Sequence, residues 1–307
     1  MRICFGSRIY KQTRKEWITD IFTKASLLRK RELGPLDIFE FKVKSKEIFR
    51  NVTLVPLNAT RFLLSELPEP KVNLIALKSI GDENVCIPEG LMILGLKQAR
   101  MTYFDQVIEP GEMQEIEVLC VEEKRWSESM QQSYLYKRAP LSVIAALRIS
   151  NDKDIEQTQS NVWKTVERYG GAHLSETLSL PEMMERQERG LIWLPENPLL
   201  SFRLNPEANA VAIALGGEPL LLEAFADHKL LEAEFQGIVE SVLADLQHIE
   251  PKQTSEIELW DFLEQVDLLS KVAHEGHFTR VGELSVNKQS AKTQHLLAIN
   301  HNHQILA

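Results

Sequence analysis

Residues Glu89–Trp126 read EGLMILGLKQARMTYFDQVIEPGEMQEIEVLCVEEKRW, a stretch in which strand-like apolar patterns alternate with polar side chains that packing alone does not explain. The continuous apolar run Leu91–Leu96 is short enough for a strand that is buried on both faces. Met101–Ile108 is predicted to continue as a strand, and the Pro-Gly pair after it supplies a tight reversal. The next segment alternates apolar and polar residues, which predicts a strand with Cys120 on its core side.

The remaining patterns predict an α+β fold, with a mostly antiparallel β-sheet in the N-terminal half, a helical middle, and mixed helices and β-hairpins toward the C-terminus. Further strand patterns lie at 37–45, 51–57, 73–80, 278–286 and 295–299. Helical patterns, one of them followed by a loop, lie at 140–149, 152–168, 172–198, 231–246 and 259–269. A β-hairpin is predicted over 208–225, where Gly216-Gly217 supplies the turn.

The composition describes an ordinary globular protein that is long enough for one large or two ordinary domains. The chain has 307 residues, of which 44% are hydrophobic and 26% are charged. It has no apolar run near the roughly 20 residues of a membrane span, and its N-terminus lacks the pattern of a signal peptide. Three widely separated cysteines, Cys4, Cys86 and Cys120, argue against a disulfide framework and favour a reducing cytoplasm.

The net charge of −9 conceals a basic N-terminal segment on an acidic body. Residues 1–50 carry 13 Lys and Arg against 6 Asp and Glu, whereas residues 51–307 carry 22 against 38. We therefore expect a basic extension over 1–50, containing a helix at 15–30, and an α+β body that offers a division near residue 136. The extension either docks an anionic partner or packs on the acidic body, and the second interpretation is favoured. The acidic body argues against a dedicated nucleic-acid-binding protein.

Three polar side chains, Lys97, Gln98 and Arg100, follow Gly95 inside the apolar run. If Leu91–Leu96 is a buried strand, these groups emerge where the strand leaves the core. Two cations and an amide suit a phosphate or carboxylate ligand, and Arg100 suits a two-pronged grip. The alternative is that Lys97 and Arg100 only pair with carboxylates of the acidic body.

Cys120 and Glu122 lie at the end of the next strand pattern, and Arg125 and Trp126 follow them. A cysteine on the apolar face of a strand is usually a small core residue, and a nucleophilic role would require a nearby base. Glu122 is better placed as a polar group of a site. Trp126 suits stacking on a base or sugar, although a tryptophan that ends a strand is more often part of the core.

Common signatures of metal binding and catalysis do not occur in the sequence. His274 and His277 are too close together for the HExxH zinc pattern. Residues 300–303 (NHNH) superficially resemble part of an HNH nuclease, but a polar hairpin turn is the favoured interpretation. GxGxxG, GxxxxGK[ST] and GxSxG are absent from the sequence. We therefore predict no metal site and identify no cofactor.

A set of residues in the central stretch occurs in the order and spacing of one known family: Glu89-Gly90, Gly95, Lys97-Gln98, Arg100, Pro110-Gly111, Val118, Cys120-Val121-Glu122 and Arg125-Trp126. By these residues the chain resembles the ARG- and rhodanese-phosphatase-superfamily-associated protein domain, a prokaryotic family found beside ADP-ribosylglycohydrolases and phosphatases. The resemblance extends from about Asn51 to the C-terminus and leaves the basic segment outside. It departs from the family pattern at Leu91, Met92, Ala99 and Leu119.

The resemblance implies a role in NAD- or ADP-ribose-linked metabolism or signalling, without a defined reaction. We therefore expect a cytoplasmic domain that binds or processes a nucleotide or an ADP-ribose-like ligand. The expected ligand-binding residues are Lys97 and Arg100 for phosphate, Gln98 and Glu122 for ribose or base, and Arg125 and Trp126 beside them. If the protein is an enzyme, Glu89 or Glu122 is the first candidate for a general base, and Cys120 is a weaker candidate for catalysis.

The alternative hypothesis is a non-enzymatic interaction subunit of a prokaryotic defence or toxin-linked assembly. In that case the residues of the central stretch would be structural. A protein partner would dock on residues 1–50. No membrane association is expected from the sequence.

Overall fold

A computed structural model describes residues 25–43, 54–55, 61–111, 113–127, 132–149, 154–190, 201–246, 258–265, 278–281, 284–287 and 295–301. The strands are β1 (Ser26–Leu33), β2 (Leu36–Lys42), β3 (Leu54–Val55), β4 (Phe62–Ser65), β5 (Leu74–Ser79), β6 (Asn84–Ile87), β7 (Leu91–Leu94), β8 (Arg100–Thr102), β9 (Gln106–Ile108), β10 (Gln114–Cys120), β11 (Tyr134–Arg138), β12 (Ala210–Leu215), β13 (Glu218–Phe225), β14 (Phe278–Val281), β15 (Leu284–Asn287) and β16 (His295–Asn300). The helices are α1 (Leu141–Ala146), α2 (Ile155–Tyr169), α3 (Gly171–Leu174), α4 (Leu180–Gly190), α5 (His228–Leu243) and α6 (258–265). No helix in this described part of the chain is long and apolar enough to span a membrane.

The chain divides into two compact units, and the first comprises residues 1–53, 203–233 and 247–307. Its seven-stranded sheet has the order β1-β2-β12-β13-β16-β15-β14, with antiparallel neighbours. One face of the sheet packs with α6 in an apolar core that includes Phe39, Phe41, Ala212, Leu222, Leu259, Phe262 and Leu296. The described part of the predicted basic extension therefore supplies two strands of this sheet.

Strand β1 contradicts the C-terminal part of the helix predicted at 15–30. Ser26–Leu33 pairs with Leu36–Lys42 across a turn in which Gly34 has a φ of +61°. The guanidinium groups of Arg29 and Arg31 both contact the buried carboxylate of Glu40. Strand pairing and these contacts outweigh the helical preference of the isolated segment. Residues 15–24 lie outside the described residues.

The second unit comprises residues 54–202 and 234–246. Its six-stranded sheet has the order β11-β7-β8-β10-β5-β4, and the two end strands, β11 and β4, contact each other. A smaller sheet has the order β3-β6-β9, in which β3 and β6 are parallel. The apolar core of this unit contains Ile75, Leu77, Ile87, Leu91, Ile93, Leu96, Ile108, Ile116 and Val118. The α+β class is confirmed.

Most predicted elements are present, and two predicted strands are interrupted. The strand predicted at Met101–Ile108 is divided into β8, which pairs with β7 and β10, and β9, which pairs with β6 in the smaller sheet. The strand predicted at 278–286 is instead an antiparallel pair, β14 and β15. The hairpin around Gly216-Gly217 is confirmed as β12 and β13, with positive φ at both glycines. Residues 302–303 of the polar turn predicted at 300–303 lie outside the described residues.

Candidate functional site

A loop of residues 95–99, called here the motif loop, connects β7 to β8 and begins with a glycine that no other residue replaces without strain. Gly95 has a φ of +83°, and a Cβ at this position would lie 2.6 Å from the carbonyl oxygen of Gln132 and 2.6 Å from Ser133 Cα. Left-handed backbone and close backbone approach both favour glycine. The loop can therefore turn out of the buried strand and bring the backbone N–H groups of Lys97 and Ala99 against carboxylates.

The first of these carboxylates belongs to Glu66, which pairs with Arg100. Arg100 Nη1 and Nη2 donate to the two carboxylate oxygens at 2.9 and 3.1 Å, and the backbone N–H of Lys97 donates to Oε1 at 2.8 Å. Arg100 Nε also donates to the carbonyl oxygen of Val72 at 3.1 Å. The Arg100 side chain is completely buried, so that Glu66 neutralises a charge that is removed from water.

The second carboxylate belongs to Glu122, just beyond the end of β10. Arg125 Nε and Nη2 donate to its two oxygens at 2.8 and 2.7 Å, the backbone N–H of Ala99 donates to Oε2 at 2.9 Å, and the hydroxyl of Thr177 donates to Oε1 at 3.0 Å. Arg125 Nη1 also donates to the carbonyl oxygen of Leu96 at 2.9 Å. Glu122 therefore holds the motif loop directly at Ala99 and, through Arg125, at Leu96.

Cys120 lies between these two ion pairs and contacts Gln98. Its Sγ–H donates to Gln98 Oε1 at 2.8 Å, and Gln98 Nε2 donates to the carbonyl oxygen of Glu122 at 2.9 Å. The amide of Gln159 in α2 bonds both the N–H and the C=O of Cys120, at 2.8 and 2.9 Å. Burial raises the pKa of the Cys120 thiol to about 11, and the opposing effect of Arg100 is smaller. The thiol is therefore protonated at neutral pH, whereas a nucleophilic cysteine needs the thiolate.

Trp126 forms the exposed part of the cluster. Its side chain is 45% exposed, Arg100 Cζ lies 5.5 Å from the ring centroid, and Lys97 Nζ lies 5.9 Å from it. These distances permit cation–π contacts to both basic groups. Among the described residues, no carboxylate pairs with the Lys97 ammonium group. Trp126 is therefore not a core residue, because almost half of its surface is exposed to solvent.

Glu89 lies in a different buried ion pair. Its carboxylate accepts from Arg148 Nε at 2.8 Å and from Arg148 Nη2 at 2.7 Å, and its backbone N–H donates to Asp105 Oδ1 at 2.8 Å. Burial raises the pKa of Glu89, and the neighbouring Arg148 acts in the opposite direction. This pair connects the turn before β7 to the turn that follows helix α1.

The structure thus brings seven of the eight predicted site residues into one cluster: Lys97, Gln98, Arg100, Cys120, Glu122, Arg125 and Trp126. Sequence reasoning missed three residues that complete it, Glu66, Gln159 and Thr177. Each of these comes from a distant part of the chain and follows no motif. In the part of the chain that the structure describes, no group of three or more His, Cys, Asp or Glu side chains is arranged to hold a metal ion.

Comparison with known proteins gives one match. The family model of the ARG and Rhodanese-Phosphatase-superfamily-associated Protein domain matches residues 26–304. This range contains the whole cluster and begins with β1, earlier than the resemblance at about Asn51. No curated protein and no solved structure matches the chain.

Proposed function

The chain belongs to the ARG and Rhodanese-Phosphatase-superfamily-associated Protein domain family, and from this premise we propose that it binds a nucleotide or an ADP-ribose-like ligand on Trp126 and Lys97. The observation that carries the proposal is a tryptophan that is 45% exposed, with a lysine ammonium group over its ring at 5.9 Å from the centroid. An exposed aromatic face offers a base a stacking surface that is typically worth about 1–3 kcal/mol. A lysine beside it supplies a point charge for phosphate.

The buried members of the cluster support this surface. Arg100 lies under the ring of Trp126, and Arg125 holds Glu122, so both guanidinium groups already have carboxylate partners. Gln98 accepts from the Cys120 thiol and donates to the backbone carbonyl of Glu122. We therefore assign Gln98, Cys120 and Arg125 the role of positioning the motif loop and the Trp126 ring.

We propose binding, rather than hydrolysis, as the primary activity. A general base must be able to accept a proton from the reacting group. Glu122 already accepts from Arg125, Ala99 and Thr177, and Glu89 is buried against Arg148. Both carboxylates are thus engaged. The few cysteines and the family premise favour a cytoplasmic protein of NAD- or ADP-ribose-linked metabolism.

Thermal unfolding of the purified protein with a panel of nucleotides tests the proposal. AMP, ADP-ribose, NAD and cyclic nucleotides are compared, because a ligand that binds only the folded state raises the Tm by mass action. We expect at least one of them to raise the Tm of the parent. Trp126→Ala should lose the shift, and Trp260→Ala, which removes a tryptophan of similar exposure at 39%, should retain it. Equal shifts in both variants, or no shift in the parent, would contradict the proposal.

The interaction-subunit hypothesis remains the second proposal, and one observation limits which basic residues are available to dock a partner. Within the basic segment, Arg29 and Arg31 pair with Glu40, and Lys30 Nζ lies 3.4 Å from Asp37 Oδ2. These basic groups are engaged inside the β1–β2 hairpin, so a docking role falls to the rest of the basic segment, residues 1–24 and 44–50. Removing residues 1–50 would also remove two strands of the sheet. Deletion of residues 1–24, followed by co-purification and native mass, separates loss of a partner from loss of the fold.

A further inference from the structure

Arg100 and the backbone N–H of Lys97 together form a cradle for an anion, and Glu66 occupies it. Three donors converge on the two oxygens of one carboxylate at 2.8 to 3.1 Å. The planar guanidinium group matches a carboxylate and a phosphate equally well, because both present two oxygens to two parallel N–H groups. The cradle therefore recognises a class of anions to which Glu66 belongs.

The Glu66 carboxylate is held less firmly than the other carboxylate of the cluster. Glu66 belongs to a segment between β4 and β5 that contains two exposed prolines, Pro68 and Pro70, and its side chain is 16% exposed. Glu122 is 6% exposed, receives the additional hydroxyl of Thr177, and forms a β-bridge with Ser179. Displacing Glu66 would expose one side chain on a connecting segment, whereas displacing Glu122 would disrupt backbone pairing.

We propose that Glu66 is an internal competitor for the cradle, and that a phosphate group of the ligand displaces it and binds Arg100 and the Lys97 N–H. This inference rests on the proposed function and adds the site of the phosphate. Exchange of one anion for another leaves the buried guanidinium paired throughout, which avoids the cost of an unpaired buried charge. Arg100 Cζ is 5.5 Å from the Trp126 ring, so a ligand with a phosphate close to an aromatic base reaches both.

The proposal predicts that removing the charge of Glu66 opens the cradle to a free anion. The test measures the Tm of Glu66→Gln in inorganic phosphate and in chloride at equal ionic strength. Glu69→Gln is the matched control, since Glu69 is an exposed carboxylate three residues away. We expect phosphate to bind Glu66→Gln at least about tenfold more tightly than it binds the parent or Glu69→Gln, seen as a larger phosphate-dependent rise in Tm. Equal rises in all three proteins would overturn the proposal.

Two further variants keep the test decisive. In Glu66→Gln/Arg100→Met the phosphate effect should disappear, and its persistence would place the anion outside the cradle and overturn the proposal. If circular dichroism shows that Glu66→Gln is unfolded, Glu66→Asp takes its place, because its shorter carboxylate reaches the two Nη atoms less well. A phosphate-dependent rise above that of Glu69→Gln then supports the proposal, and an equal rise overturns it.

Failure of this inference is distinguishable from failure of the nucleotide proposal. If AMP binds the parent in a Trp126-dependent way but phosphate raises the Tm of Glu66→Gln no more than that of the parent, the nucleotide proposal is supported and Glu66 is not a competitor. If phosphate binds Glu66→Gln but no nucleotide binds the parent, the anion cradle is supported and the nucleotide proposal is contradicted.

Discussion

At the residue scale, three arginines of the second unit each hold one carboxylate in a two-pronged pair. Arg100 holds Glu66, Arg125 holds Glu122, and Arg148 holds Glu89. The rigid fork of a guanidinium group suits this arrangement, and a lysine would supply only a point charge. Pairing makes the buried charges tolerable, and it makes the loss of a single partner costly.

The Glu89–Arg148 pair gives the clearest stability prediction, because both side chains are at least 96% buried. Glu89→Ala should lower the free energy of unfolding by roughly 3–5 kcal/mol, since it removes one partner of a buried, hydrogen-bonded ion pair. Urea denaturation followed by circular dichroism measures the change. Arg186→Ala, which breaks an exposed ion pair with Glu182 on α4, should cost less than about 1 kcal/mol. A Glu89→Ala loss as small as that of Arg186→Ala would contradict the account.

Cys120 should be unreactive in the folded protein at neutral pH. Burial raises its pKa to about 11, and thiolate is the species that alkylating reagents attack. With iodoacetamide at pH 7.5, mass spectrometry should find Cys120 unmodified in the native protein and modified after denaturation. Alkylation of native Cys120 at the rate of a free thiol would show that the thiol is accessible and ionised, and would return it to the candidates for catalysis.

The residue pattern singled out the side chains of the central stretch, but it could not predict whether they meet in space or what they bind. Lys97, Arg100 and Glu122 were recognisable because their charges interrupt apolar strands within one motif. The alternative, that the two basic residues pair with carboxylates of the protein, describes Arg100, whereas among the described residues no carboxylate pairs with Lys97. The contact between Glu66 and the cluster was not predictable, because it depends on the placement of β5 and β8 on either side of β10.

At the element scale, the motif loop depends on Gly95, where the cost of left-handed backbone and the cost of a close backbone contact can be measured separately. Gly95 and Gly111 both have positive φ, but a Cβ at Gly95 would meet backbone atoms 2.6 Å away, and a Cβ at Gly111 would have no atom within 4 Å. Gly111→Ala should therefore cost about 1–2 kcal/mol for left-handed backbone alone, and Gly95→Ala should cost clearly more. Urea denaturation of both variants measures the difference. Equal losses would show that the Gln132 backbone moves aside freely.

The first turn of helix α1 is capped by Asp245, a titratable side chain from a distant segment of the chain. Its first turn follows Pro140, which provides no side-chain cap, and Asp245 accepts from the backbone N–H and the hydroxyl of Ser142 at 2.7 and 2.6 Å. Burial raises the pKa of Asp245 to about 7, against the lowering effect of these hydrogen bonds. An aspartate in an unfolded chain titrates near about 3.9, so the folded protein binds this proton more tightly.

The stabilising effect of this proton should be complete below about pH 4 and lost as the pH rises through about 7. The free energy of unfolding of the parent minus that of Asp245→Asn should therefore fall between pH 4 and pH 7 and become constant above about pH 8. Urea denaturation across this range measures the difference, and subtraction removes the contribution of other groups. A difference that grows with pH would mean that the hydrogen bonds, rather than burial, dominate the pKa of Asp245.

The elements that sequence predicted well are those whose partners lie nearby in the chain. The β12–β13 hairpin and helices α2 and α5 follow from a glycine turn and from apolar residues at helical spacing. Strand β1 and the break between β8 and β9 did not follow, because each depends on which sheet the segment joins. Local periodicity contains no information on that choice.

At the scale of the whole molecule, the asymmetry of charge along the sequence does not correspond to a separate basic domain in the described residues. Strands β1 and β2 carry basic groups from the first 50 residues into the seven-stranded sheet, where Glu40 and Asp37 neutralise them. The family match likewise begins at residue 26. The positive charge that matters to the proposal lies instead at Lys97, within the second unit.

A crystal structure of the protein with bound AMP tests the central claim most directly. The proposal predicts an adenine ring stacked on Trp126, with the phosphate at Lys97 and in the Arg100 cradle, and with the Glu66 carboxylate displaced. Density for AMP elsewhere on the protein, or none at millimolar ligand, would contradict the assignment of a nucleotide site to this cluster.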